Sequence, residues 1–350
     1  MCSKNMKLLK LVGKFFSFVL VFVLFLVLNL YLMCLIFCYG PSKSARDIFV
    51  TTMLETGQMK FVVGLVMDQD SVKEIVDSNS MKSMKEEVDN DLIKVEENKN
   101  QPDIELKEIS GNTFFAKMLI IKDPSRVKLA SIYDGSWKTY GVTLDKLVSD
   151  NDAIAGVNGG LYQSSGNKGG SPLGVVVRNG KIEYNQPTGL AGLYLIGLNE
   201  DNLLQIIDLQ NKNKNEVENI IKENKIRDAV AFQEESSDAN NHFVKLIING
   251  ERRETKGSGS GANPRTAIGQ RKDGTILLLV TDGRGANGHL GATASDLIDV
   301  MEEYGAVNAA NLDGGSSSSM YYNDKYEMTS VTLYYSNSSW RLPTGFIVSK

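Results

Sequence analysis

The apolar positions change their pattern several times along the chain. From Phe15 to Tyr39 they run almost unbroken: FFSFVLVFVLFLVLNLYLMCLIFCY carries no charge and one amide, Asn29. At about 1.5 Å rise per residue this run exceeds the roughly 20 residues needed to cross about 30 Å of hydrocarbon. It predicts one transmembrane helix over 15–39. The apolar core of a cleaved signal peptide is shorter, about 7–15 residues, with a small-residue cleavage site behind it, so the pattern favours an anchor. Residues 40–78 hold the apolar stretch Phe61–Met67 and a helical-looking Ser71–Val76, which predict a juxtamembrane strand or helix. Over 79–103 the apolar positions thin out. Ser80 to Asp103 is polar, charged and free of aromatics, a composition that buries little and reads as a tether or a solvated helix.

From Ile104 onwards short apolar runs recur between turn signals. Phe114–Ile121 ends at Asp123-Pro124, and Ala153–Val157 ends at Asn158-Gly159-Gly160. Gly174–Arg178 is followed by Asn179-Gly180, a hairpin signal because both residues tolerate positive φ. Asn249-Gly250 and Lys272-Asp273-Gly274 repeat the pattern, the latter leading into the strand-like Thr275–Val280. Three helices are expected here: a short one over Thr143–Ser149, a polar surface helix with frayed ends over Asn211–Lys225, and Thr293–Tyr304. In the last, Thr293 can cap with Asp296 three residues on, Leu297, Met301 and Tyr304 line one side, and Gly305 stops it. Many hairpins and few helices predict an α+β catalytic domain with a mixed or antiparallel sheet, preceded by the one N-terminal transmembrane helix. The expected organisation is a basic tail (1–14), anchor (15–39), juxtamembrane segment (40–78), polar linker (79–103) and catalytic domain (104–350).

Charge adds an orientation. Lys4, Lys7, Lys10 and Lys14 precede the span without an acidic residue, whereas Lys43, Arg46 and Asp47 follow it. That bias predicts a cytoplasmic N-terminus and an extracellular C-terminal domain on a single-pass cell-membrane protein. The formal charge is −4 over 350 residues, and the basic end belongs to the membrane, so the remainder is more acidic still. With no basic stripe interleaved with aromatics, nucleic acid is excluded as a partner. Cys2, Cys34 and Cys38 are the only cysteines, which rules out a disulfide scaffold or a cysteine metal site in the soluble part. Asn and Lys richness together with an anchor suggests a bacterium with one surrounding membrane, its domain facing the wall. Nothing in the sequence indicates an oligomeric state.

Candidate chemistry gathers in glycine and polar clusters at the ends of apolar runs, where a rigid support meets a loop that can approach a ligand. Four clusters qualify: Val157–Tyr162, Asn263–Gly269, Val280–Arg284 and Asn311–Ser319. Asp282 and Asp313 each follow an apolar run and precede glycine, as a general acid, general base or nucleophile would. The competing reading makes each a turn-former bonded to its own following amides. Arg265 and Arg284 offer donor forks suited to a phosphate or carboxylate, or else structural ion pairs. Gly314-Gly315-Ser316 can present amides and a hydroxyl to an anion, and equally can be a flexible turn. His242 and His289 are the only histidines, too few for a histidine-built zinc site. His242 lies in a polar insert, while His289, shortly after Arg284, is a candidate substrate contact. No cofactor is required. Asp and Asn side chains permit a hard cation such as Ca²⁺, without EF-hand spacing. There is no P-loop and no G-x-S-x-G elbow.

At these residues the sequence resembles the phosphodiester glycosidase family. The likeness is carried by NGGLY at Asn158–Tyr162, NPRTAIG at Asn263–Gly269, TDGR at Thr281–Arg284 and GAVNAANLDGGSSS at Gly305–Ser318, with Tyr133–Trp137 and Arg341–Phe346 in support. The animal member removes N-acetylglucosamine from a phosphodiester on mannose, and bacterial relatives are often labelled exopolysaccharide biosynthesis proteins. The resemblance implies hydrolysis of a sugar-1-phosphodiester at the glycosidic side, releasing sugar and a phosphomonoester, on a phosphorylated glycan or its precursor in the cell envelope. It implies catalytic roles for Asp282, Asp313, Arg265 and Arg284, and substrate contacts from Asn158, Gly159, Gly160, Gly314, Gly315, Ser316 and His289. The chain departs from the family where Ala231-Phe232 runs into Gln233–Asn241 rather than a phenylalanine–glycine–proline-like segment, which bears on the pocket rim. Two other functions fit the same residues: a different phosphodiesterase or glycosyl-phosphate transferase in envelope polymer assembly, and a glycan-binding module without turnover.

Overall fold

The computed structural model describes residues 2–56, 59–95, 104–237, 240–330 and 337–350. The uninterrupted apolar run lies in one helix, Cys2–Tyr39, whose Lys10–Tyr39 portion is long and apolar enough to cross a membrane. Its large apolar side chains are exposed over most of that length, a surface that suits lipid and not water. One such helix near the N-terminus fits an anchor or a signal sequence.

The juxtamembrane segment is helical. Lys43–Glu55, Lys60–Gly64 and Gln69–Ser78 pack Val50, Leu54, Val63, Val72 and Ile75 around Cys38 at the end of the long helix. Ser42 and Asp68 cap two of the helices by accepting the amides of Ala45 and Ser71, as short polar side chains at N-caps do. Phe37 stacks on Phe49 with ring centroids 5.1 Å apart, and the Tyr39 hydroxyl donates to the Val66 carbonyl at 2.7 Å.

Residues 79–95, read from composition as a tether or solvated helix, are neither. They run along the domain with one short 3-10 turn at Asn90–Leu92. The Lys82 amide donates to the Glu254 carbonyl and the Lys94 amide to the Lys272 carbonyl, and Met84 and Val88 pack on the central core. The Lys245 ammonium donates to the carbonyls of Met84 and Glu86. Widely spaced apolar side chains and borrowed backbone partners order a segment whose average composition is that of a linker. Residues 96–103 of that stretch lie outside the described residues.

Three antiparallel sheets surround one shared core. The seven-stranded sheet runs Ile104–Ser110, Phe115–Ile121, Ile276–Thr281, Thr266–Arg271, Ala306–Asn311, Lys245–Ile248, Glu251–Arg252. One five-stranded sheet runs Lys325–Thr329, Ser319–Tyr322, Ala153–Asn158, Thr344–Ser349, Val127–Ser131. The other runs Lys181–Gln186, Gly174–Arg178, Ile226–Gln233, Leu193–Asn199, Leu204–Asp208. The architecture is α+β, and the pairings among the described strands are antiparallel.

Period-two alternation explains why the strands read as continuous apolar runs. Leu119, Ile121, Ile276, Leu278 and Val280 face the shared core, while Met118, Ile120, Leu277 and Leu279 face the Ala294–Glu303 helix. The second five-stranded sheet repeats this, with Val176, Ile196 and Val230 inward and Val175, Val177 and Leu195 under the Lys214–Glu223 helix. The Leu144–Asp150 helix covers the outer face of the first five-stranded sheet through Leu144, Leu147 and Val148. Both faces of the central strands are thus buried, which removes the polar face that alternation needs to be visible.

The local signals act as their chemistry dictates. Thr293 accepts the Asp296 amide while Asp296 accepts the Thr293 amide, and Gly305 follows at φ +78°. Asn179 and Gly180 turn the Gly174–Arg178 hairpin at φ +50° and +71°. Lys214–Glu223, expected as a frayed surface helix, is capped at both partners of an Asn213–Glu216 box and buries Val217 and Ile221.

Candidate active site

Register places three of the four motif loops at one end of the seven-stranded sheet. Thr266 pairs with Val280 and Ala267 with Asn311. The residues just beyond these pairs are therefore neighbours: Arg265 on the central strand, Asp282 on one flank and Asp313 on the other. Adjacent strands lie about 4.8 Å apart, so the two aspartates belong to strands one strand removed from each other, on the same edge. The fourth loop comes from another sheet. Asn158, fully buried at the end of Ala153–Asn158, donates from Nδ2 to the Asp313 carbonyl at 2.6 Å. Its Oδ1 accepts the Thr266 hydroxyl at 2.7 Å and the Ser319 amide at 3.2 Å.

The Asp313 carboxyl is strongly altered by its surroundings. Desolvation pushes its carboxyl up from 3.8 to about 6, against the opposing help of the Ser317 hydroxyl, the Gly314 amide and the Arg284 charge. The Gly314 amide donates to Oδ1 at 3.0 Å. Behind Ser317 stands Tyr162, with its hydroxyl 2.9 Å from the Ser317 Oγ; burial first, and the Asp313 charge second, raise that phenol. On the other side Arg284 Nη1 donates to the Ser316 Oγ at 2.7 Å. Arg284 holds a left-handed backbone at φ +56°, a conformation uncommon for a side-chain-bearing residue and frequent where function demands it. Its buried Nε finds no hydrogen-bond partner among the described residues. Burial, then the charge of Arg265, lower its pKa, and Asp313 opposes them.

Asp282 is engaged through both oxygens and Arg265 through Nε and Nη2. Asp282 Oδ1 accepts the Phe115 amide at 2.7 Å, and Oδ2 lies 2.7 Å from Nδ1 of His289. His289 keeps about a third of its side chain exposed (32 %) beside a carboxylate at 3 %. Arg265 lies over the Phe243 ring at 4.9 Å, and its Nη2 donates to Gly261 O, Ser260 Oγ and Glu55 Oε2 at 2.8, 3.2 and 2.5 Å. The Glu55 carboxylate, at the end of the Lys43–Glu55 helix, also accepts the Gly261 amide at 2.6 Å and Asn263 Nδ2 at 3.2 Å. Among the described residues no group of three or more His, Cys, Asp or Glu could hold a metal ion.

Residues 151–349 match the family model of phosphodiester glycosidases. The chain belongs to the phosphodiester glycosidase family. Its fold is similar to that of the catalytic domain of zebrafish N-acetylglucosamine-1-phosphodiester alpha-N-acetylglucosaminidase, a structure described as auto-inhibited by its pro-peptide. That match has a TM-score of 0.53 at 19 % identity and covers 73 % of this chain and 87 % of the other. A hypothetical protein from Synechocystis is more distant, at 14 % identity and a TM-score of 0.42 over 71 % of this chain and 64 % of that one. The SPbeta prophage-derived uncharacterized protein YomE of Bacillus subtilis (strain 168) is 44 % identical over 64 residues, which span 18 % of this chain and 10 % of that protein.

Within this member of the phosphodiester glycosidase family, Asn158, Asp313, Gly314, Gly315, Ser316 and Arg284 converge on one spot. Gly315 is needed there: it sits at φ +63°, and a Cβ on it would lie 2.8 Å from Arg284 Nη2. Gly159 and Gly160 have a packing explanation instead. A Cβ on Gly159 would lie 2.5 Å from Thr344 Oγ1, and one on Gly160 would lie 2.5 Å from the Ala231 carbonyl. Of the Ala231–Asn241 departure from the family pattern, 238–239 lie outside the described residues. Sequence reasoning did not select Tyr162 or Ser317 individually, although both stood inside its clusters. It passed over Glu55 and the Gly257–Gly261 loop, whose only signal was glycine at alternate positions.

Proposed function

We propose that this chain hydrolyses a sugar-1-phosphodiester at the glycosidic bond, releasing the sugar and a phosphomonoester. The substrate is a cell-surface glycan or its precursor, reached by a domain that the N-terminal helix holds outside the membrane. The observation that supports this most is the Asp313 carboxyl, raised to about 6 beside the Arg284–Ser316 pair. A carboxylate that titrates near neutrality suits proton transfer or attack at carbon, and an adjacent guanidinium suits phosphate.

In this reading the departing phosphomonoester already carries charge, so its protonation matters less than in ordinary glycoside hydrolysis. Arg284, whose Nε has no hydrogen-bond partner among the described residues, receives the non-bridging oxygens and stabilises the charge that accumulates there. Asp313, in its ionised form, meets the oxocarbenium-like carbon or activates water. Asp282 has both oxygens committed and acts through His289, fixing the ring by Nδ1 and leaving Nε2 for a sugar hydroxyl or water. Hydrolysis in ¹⁸O-labelled water tests the reaction class: label is expected in the sugar. Label in the phosphate would place the attack at phosphorus and remove the glycosidase reading.

Two further outcomes follow. Arg284→Lys keeps the charge but loses the fork, and its cost is expected in both KM and kcat, about tenfold or more in kcat/KM; steady-state kinetics check it. The helix over 15–39 acts as an uncleaved anchor, so the chain is expected at full mass in the membrane fraction after a high-salt wash.

A further inference from the structure

The Glu55 carboxylate is held as a bound anion would be. Three donors from one loop converge on it: the Gly261 amide, Asn263 Nδ2 and Arg265 Nη2, at 2.6, 3.2 and 2.5 Å. The side chain is 3 % exposed. The loop that supplies the donors leads directly into the central strand of the site, and Arg265 is near enough for its charge to bear on Arg284. Without Glu55 the Nη2 of Arg265, the Gly261 amide and Asn263 Nδ2 would lose the carboxylate on which they converge, leaving a donor set suited to a phosphate oxygen.

The carboxylate arrives on an element outside the sheets. The Lys43–Glu55 helix reaches the loop through the Thr52 hydroxyl, which accepts the Ala262 amide at 2.9 Å. At its other end, Asp47 Oδ2 accepts Asn79 Nδ2 at 3.1 Å, and Asn79 Oδ1 accepts the Ser258 amide at 3.3 Å. Gly261 lets the helix backbone come this close: a Cβ there would lie 2.6 Å from both Thr51 C and Thr52 N. The same helix is tied to the apolar N-terminal helix by the Phe37–Phe49 stack.

We propose that Gly261 N, Asn263 and Arg265 form an oxyanion seat for a phosphate oxygen of the substrate, and that Glu55 occupies it as an intramolecular stand-in. Substrate enters when the Lys43–Glu55 helix withdraws, so the position of the membrane-proximal helices sets how much of the enzyme is open. This rests on the reading of the site as one that takes a sugar phosphodiester. The apparent affinity of such a site is reduced by the fraction of molecules in which the seat is free.

The test uses the full chain in detergent, with inorganic phosphate as the probe and a sugar-1-phosphodiester as substrate. Glu55→Ala is expected to bind phosphate about tenfold or more tightly than the wild type, by calorimetry and by a phosphate-dependent rise in melting temperature, and to lower KM by a similar factor at unchanged kcat. Thr52→Val, which leaves Glu55 and all three seat donors in place but removes the hydroxyl that ties the helix to the Ala262 amide, is expected to shift both in the same direction and serves if Glu55→Ala fails to fold. Adding Arg265→Ala to either variant is expected to cancel that gain in phosphate affinity. Equal phosphate affinity in wild type and both variants would overturn the seat, and so would loss of turnover in folded Glu55→Gln, which would make Glu55 part of the catalytic machinery. Tight phosphate binding by the variants with no turnover of the diester in any form supports the seat and defeats the reading of the reaction instead.

Discussion

Asp313→Asn is expected to remove turnover, by about a thousandfold or more, while leaving the melting temperature unchanged or slightly higher. The two halves of this result have one cause. Desolvation raises the folded-state pKa of Asp313 from 3.8 to about 6, so the folded protein holds that proton more tightly than the unfolded chain does. Stability contributed by the protonated form is therefore present at low pH, declines as pH rises from about 4, and is lost above about 6. Asparagine keeps an oxygen for the Gly314 amide and carries no charge into the recess, so this decline should be absent from the variant. Activity runs in the opposite sense. If the ionised carboxylate is the working form, kcat/KM rises with pH through a midpoint near 6 in the wild type. Thermal melts from pH 4 to 8 and a pH–rate profile over the same range check both halves. A folded variant that retains a tenth of the activity would displace Asp313 from the reaction.

Much of this site was legible because its motifs are local. Asn179-Gly180, Thr293 with Asp296, and Gly305 state their conformations in two to four residues, and the folded chain adopts each. The end-of-strand placement of Asp282 and Asp313 could be read in the same way, since apolar run and glycine stand side by side. What was hidden is set by distance along the chain. Nothing near Asp282 shows that its oxygens go to the Phe115 amide and to His289, and so the sequence suggested a catalytic carboxylate where the geometry offers a committed one. Asn158 looked like a substrate ligand, yet its amide joins two sheets. Glu55 carries no signal of its own in the sequence; its partner lies 210 positions away. The polar stretch 79–95 failed for a related reason, because an average over composition cannot register Met84 and Val88 meeting a core built from later residues.

Asn158→Leu is expected to cause the largest loss of stability among single changes near the site. The side chains share a branched shape, but leucine's methyl groups are larger than the oxygen and nitrogen they replace, so packing strain adds to the loss of hydrogen bonding. Asn158 is fully buried and serves three partners that come from separate elements: the Asp313 carbonyl, the Thr266 hydroxyl and the Ser319 amide. Leucine leaves all three without a partner in a place water does not reach. At about 1–3 kcal/mol for each stranded group the sum is on the order of 3–9 kcal/mol. For a domain of this size that corresponds to a fall of roughly 10 °C or more in melting temperature. Activity should fall further than stability requires, because the 313–319 loop loses its tie to the neighbouring sheet and Asp313 its fixed position. Asn158→Asp separates the two contributions. It keeps the acceptor for Thr266 and Ser319 but turns an oxygen towards the Asp313 carbonyl, so it should destabilise less than leucine while still loosening Asp313. Hydrogen exchange at residues 313–319, measured at a temperature where both variants remain folded, should therefore accelerate in both, and kcat should follow the exchange rather than the melting temperature. Were the aspartate variant to exchange as slowly as the wild type and yet lose activity, Asn158 would have to contact the substrate itself.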